Sequence, residues 1–174
     1  MKTKNITFCG ISAALATVIM LTGYFPYLTY AIPCIASLAI MAVVIELGYK
    51  YALATYLVSL LPIFLFCELE SKLLYIFLVG FYPILKAIFE KPRSRVLEYA
   101  LKIALVNVAI FVIYLLSTLI FGLSFDDMGE LGKLGGIALV VLANVTFLLY
   151  DMCIGKMAFA YIIKFHPIVK KLLK

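Results

Sequence analysis

The sequence predicts an all-α integral membrane protein of six transmembrane helices with both termini in the cytoplasm. Three observations carry that reading. Apolar residues fill 66% of the 174 positions and the mean hydropathy is +1.16, which leaves too little polar surface to enclose a water-soluble core. The apolar residues fall into stretches long enough to cross a bilayer. Lys and Arg collect at every second boundary between those stretches: Lys2 and Lys4, Lys50, the cluster Lys91, Arg93 and Arg95, and the tail from Lys164 to Lys174. The alternate boundaries carry Glu68, Glu70, Asp126, Asp127 and Glu130, with Lys72 and Lys133 as the cations there. That alternation is the positive-inside pattern and orients the chain.

The first span is expected from Ile6 to Tyr24, 19 residues, or about 28 Å against a hydrocarbon core of about 30 Å. Lys2 and Lys4 before an apolar run imitate a signal peptide, but the triplet Ala14, Leu15, Ala16 comes too early and the apolar run continues past it, so a retained helix is expected. An aromatic outer loop through Tyr30 follows. Pro33 suits the first turn of a second helix reaching Leu47, and Gly48 turns the chain into a third helix from Lys50 to Phe66. A fourth covers Leu73 to Phe89, with kinks expected where Pro62 and Pro83 remove hydrogen bonds to the carbonyls of Val58 and Val79. The fifth runs from Val96 to Gly122. A mobile outer loop is expected from Ser124 to Gly136, because it holds three acids and four glycines, and the sixth helix from Ile137 to Phe165. No internal repeat or linker divides the chain, so one domain over residues 1–174 is expected.

Cys9, Cys34, Cys67 and Cys153 are far apart, with no Cys-x-x-Cys pair, and read as small buried residues. Gly10, Ala13, Ala14 and Thr17 lie at offsets 0, 3, 4 and 7 of the first helix. Small residues there let another helix approach closely, in this chain or another. The loop from Tyr24 to Pro33 is either an interfacial aromatic belt or a lid over a ring-bearing ligand. Asp151 lies deep in the sixth helix and needs a partner there, since an unpaired charge costs about 2.5–3.5 kcal/mol at a helix centre. Lys86 and Lys102 are the candidates for an intramembrane ion pair with it. Asn144, nearer the outer side, is a candidate ligand contact, and Asn107 an interhelical partner.

Catalytic chemistry is poorly represented. His166 lies beyond the last span, and no nucleophile elbow, phosphate loop or His-Glu-x-x-His motif occurs, so neither an enzyme nor a cofactor or metal centre is expected. The cations flank apolar helices without forming a basic, aromatic-interleaved face, which argues for lipid rather than nucleic acid as their partner.

Six helices in a chain this short, the small-residue face, the aromatic first loop, and the segments from Ala42 to Ala52 and Gly80 to Lys86 resemble the substrate-capturing S components of energy-coupling factor (ECF) transporters, in particular their less characterised members. The resemblance implies a vitamin or precursor bound from outside a prokaryotic plasma membrane, with Tyr27, Tyr30, Glu68, Glu70 and Asn144 among its contacts. It also implies docking through Gly10, Ala13, Ala14 and Thr17 on a transmembrane coupling protein driven by two ATPase subunits. The family's alanine-x-x-x-alanine spacing is loosened here, Thr17 following Ala13 and Gly10 preceding Ala14. The runner-up reading is a scaffold of the cell-envelope machinery, similar to a small rod-shape membrane protein.

Overall fold

The computed structural model describes residues 2–24, 28–90, 95–121 and 129–173. Every regular element among them is helical. The helices are α1 (Lys2–Leu21), α2 (Ala31–Leu47), α3 (Tyr49–Phe66), α4 (Leu69–Leu74), α5 (Tyr82–Phe89), α6 (Arg95–Phe121), α7 (Gly129–Lys164) and α8 (His166–Leu173). A 3₁₀ turn, Thr22–Tyr24, follows α1, and a π-helical segment, Tyr75–Val79, separates α4 from α5. Five helical stretches are long and apolar enough to cross a membrane: Thr3–Tyr24, Tyr49–Phe66, Leu69–Phe89, Glu98–Leu116 and Gly135–Lys164. Such a chain is compatible with a multi-pass membrane protein.

The chain divides into two compact units. One comprises Met1–Lys91 and Cys153–Lys174, the other Pro92–Met152. At the centre of the first lies α2, touched by α1, α3, α4, the π segment, α5 and α8. Its 17 residues rise only about 25 Å, short of a full span. A helix walled by its neighbours does not have to match the hydrocarbon thickness on its own lipid face. Close packing around it rests on small side chains: Ser12, Ala13 and Ala16 of α1 are buried, as are Ala36, Ser37 and Ala39 of α2. Met20, Ile40, Val43, Ile63 and Tyr75 fill the core between them.

Gly48 performs the turn expected of it. Its φ of +87° lies where a side chain would be strained, and it alone separates α2 from α3. The helix expected from Leu73 begins four residues earlier, at Leu69, where Cys67 and Glu68 are extended and the helix takes Glu70 into its first turn. There the break is not a proline kink. Gly80 N–H donates to the Tyr75 carbonyl at 2.8 Å, five residues back, and Pro83 sits in the first turn of α5, where a missing N–H costs little. Pro62 lies inside α3 as expected.

The expected loop from Ser124 to Gly136 is corrected over its second half, which is helix from Gly129 onward. A helix nucleated by the apolar stretch after Ile137 extends one residue at a time, and each bond gained offsets the roughly 1 kcal/mol cost of a glycine. The last span ends at Lys164, and α8 restarts the helix after a turn at Phe165. Pro167 explains the restart, since inside a continuous helix its ring would meet the preceding turn. Pro26, Lys91, Arg93, Asp126 and Asp127 lie outside the described residues.

Candidate functional site

Within the first unit, the segment after α1 is fastened along a seam to the junction of α3 and α4. The Tyr24 hydroxyl donates to the Phe66 carbonyl at 2.5 Å, Thr29 to Glu68 Oε2 at 3.3 Å, and Tyr30 to Glu70 Oε2 at 2.9 Å. Ser71 returns a bond from its hydroxyl to the Thr29 carbonyl at 2.9 Å. Gly23 is buried beneath, and a Cβ there would come within 3.2 Å of Ser71 Oγ. Three candidate ligand contacts, Tyr30, Glu68 and Glu70, are thus brought together, while Tyr27 lies outside the described residues. The bond to Glu70 holds the Tyr30 hydroxyl above its usual pKa, with partial burial and the charges of Glu70 and Glu68 adding to the shift. Chemically the seam offers two carboxylates whose hydroxyl donors a ligand's own donors could replace.

The first unit also holds a buried tyrosine pair. The π segment leaves the Ile76 carbonyl without a regular helical donor, and the Tyr56 hydroxyl supplies one at 2.6 Å. Tyr75 meets Ser59 at 3.2 Å, and the Tyr56 and Tyr75 rings lie 6.0 Å apart. Both tyrosines are buried among apolar neighbours. Sequence reasoning missed this arrangement, although Gly80 in an otherwise apolar span was the available signal.

The small-residue stripe of α1 splits. Ala13 is buried and Thr17 half-buried, with the Thr17 hydroxyl bonded to the Ala13 carbonyl at 2.9 Å. Gly10 and Ala14 are exposed, and a Cβ on Gly10 would meet open space. Thr3 and Thr7 are exposed as well, so Thr3, Thr7, Gly10 and Ala14 form an outward stripe of small residues at offsets 0, 4, 7 and 11.

In the second unit, α6 and the first part of α7 are joined by two polar rungs. Lys102 Nζ lies 2.8 Å from Asp151 Oδ2 and 2.5 Å from Glu98 Oε1, with its side chain 2% exposed. Lys102 is therefore one partner of Asp151. The other candidate, Lys86 of the first unit, pairs with Glu90 at 2.9 Å. Asn107 and Asn144 exchange reciprocal bonds of 3.3 Å. Each amide also donates to a carbonyl of its own helix at 2.8 Å, Ile103 for Asn107 and Val140 for Asn144. Asn144 is thus engaged as an interhelical partner, the role expected of Asn107.

A further pair escaped the sequence reading. Glu46, near the end of α2, has a side chain only 2% exposed, and His166 Nδ1 lies 3.0 Å from its Oε1. No local motif links residues 120 positions apart. Among the described residues, no group of three His, Cys, Asp or Glu is placed to hold a metal.

No family model, curated protein or solved structure matches this chain.

Proposed function

We propose that this chain is the substrate-binding membrane subunit of an ECF-type uptake transporter, a six-span S-component-like protein of a prokaryotic plasma membrane with both termini cytoplasmic. It captures a vitamin-like micronutrient or precursor outside and docks on a transmembrane coupling protein driven by two ATPase subunits. The observation that carries this reading is the outward stripe of α1. Gly10 and Ala14 remain exposed while Ala13 is spent on the chain's own core, so a surface fit for close helix contact is left for another protein. The seam supports the capture half of the reading. It ties Thr29 and Tyr30 to Glu68 and Glu70 at the α3–α4 junction with bonds that a ligand's donors can replace.

The test uses the full-length tagged chain purified from native membranes. A coupling subunit should copurify with the wild type and be lost with Ala14→Phe. A small molecule seen by mass spectrometry of the purified protein should be retained less well by Glu70→Gln. Absence of both coupling subunit and retained molecule overturns the reading and favours a lateral scaffold.

A further inference from the structure

α8 combines three properties that the proposed transport role does not use. Its start is tied down, because His166 bonds the buried Glu46 carboxylate at 3.0 Å, and the Tyr161 hydroxyl of α7 faces the same carboxylate. Its faces are chemically divided. Ile168 and Val169 open an apolar arc of about 100°, with Lys170 about 100° beyond Val169 and Lys171 about 60° to the other side of Ile168, at the helical angle of about 100° per residue. Ile168 is 58% exposed, and both lysines are exposed. Its position is set by the span before it, since the apolar stretch Gly135–Lys164 ends one residue short of the turn at Phe165. After Asp151 the sequence holds five lysines and no Asp or Glu.

We infer that α8 is an interfacial helix that seats Ile168 at the edge of the hydrocarbon and binds anionic phospholipid headgroups through Lys164, Lys170 and Lys171. Charge complementarity selects this partner. A zwitterionic surface offers these lysines no net attraction, whereas each lysine near an anionic surface favours it by a factor of about five. Apolar burial of Ile168 and lysine contact are the two components of interfacial helix binding. The Glu46–His166 bond holds the start of the helix against α2.

The chain has no tryptophan, so Ile168→Trp provides a single reporter. The full-length variant is reconstituted with brominated phosphatidylcholine or brominated phosphatidylglycerol, and quenching gives the relative binding constant of the two lipids at α8. The expected result is quenching by both lipids with a clear preference for phosphatidylglycerol. Adding Lys170→Gln and Lys171→Gln should reduce that preference by roughly 25-fold at low salt, and 1 M salt should largely remove it, the screening length falling to about 3 Å. Quenching by neither lipid places α8 away from the bilayer and overturns the inference. Equal quenching by the two lipids, unaffected by the lysine substitutions, also overturns it. So does an emission change on adding an acidic polypeptide or RNA without any lipid preference. None of these outcomes bears on copurification of a coupling subunit, so this inference and the transport reading fail separately.

Discussion

Replacing Gly80 by alanine should be among the most damaging single-methyl additions in the first unit. A Cβ at Gly80 would stand 2.6 Å from the Tyr75 carbonyl oxygen, 2.9 Å from Tyr56 Cε2 and 2.9 Å from Tyr75 Cε1. None of the three neighbours can yield cheaply. The carbonyl accepts the Gly80 N–H at 2.8 Å, Tyr75 is fully buried, and Tyr56 is held by its bond to Ile76. Overpacking of this kind costs about 1–3 kcal/mol, and losing the π-turn hydrogen bond about 1 kcal/mol more. The expected destabilisation is therefore about 2–4 kcal/mol. The same substitution at Gly10, where a Cβ meets open space, should be neutral or gain up to about 1 kcal/mol from helix propensity. The assay is unfolding of the detergent-solubilised protein by rising SDS mole fraction, followed by far-UV circular dichroism. Equal midpoints for Gly80→Ala and the wild type would refute the steric account of the π segment.

Lys102→Met removes the shared cation of Glu98 and Asp151 and should cost about 3–5 kcal/mol in the same unfolding assay, the range for breaking a buried pair from one side. The charge-swapped protein carrying Lys102→Asp and Asp151→Lys should express better than either single variant, and no recovery would count against the pair as an anchor. A double-mutant cycle with Asn107→Leu and Asn144→Leu should give a coupling of about 0.6–1.7 kcal/mol; zero coupling would show that the reciprocal bonds contribute nothing. Tyr30 tests the seam by pH. Because its folded pKa is raised, the stabilisation it brings is complete below its free value of about 10 and is lost as pH rises through the folded value. The difference in melting temperature between the wild type and Tyr30→Phe should accordingly be constant from neutral pH to about 9.5 and shrink above it; a flat difference to pH 12 would remove Tyr30 from the seam.

Much of the helical framework was legible because its signals are local. Apolar run length located the long helices, Gly48 located the α2–α3 turn, and the depth of Asp151 demanded a cation, which Lys102 supplies. Features that depend on several helices at once were not legible. The π segment needs Tyr56 from α3 to cap the Ile76 carbonyl, and no spacing within the fourth span reveals that donor. Glu46 gains its partner only where α8 places His166 against it, 120 residues away. The small-residue stripe was readable as a composition, but which half faces inward depends on where α2 packs, and only the folded chain separates buried Ala13 from exposed Ala14. The loop expected between the last two spans was misjudged at its second half because glycine content is a weak prior against helix propagation.

The one-residue connection at Gly48 has a consequence for how the protein is made. With Leu47 closing α2 and Tyr49 opening α3, no length of chain exists to park one helix in the bilayer while the other waits in water. If both helices enter a bilayer they do so as a hairpin, and α2, with 17 residues, enters together with its partner. Nascent-chain force measurements should then register a single merged insertion event across α2 and α3. Lengthening the connection by a flexible decapeptide should split that event in two, and two separate events in the unmodified chain would disprove paired entry.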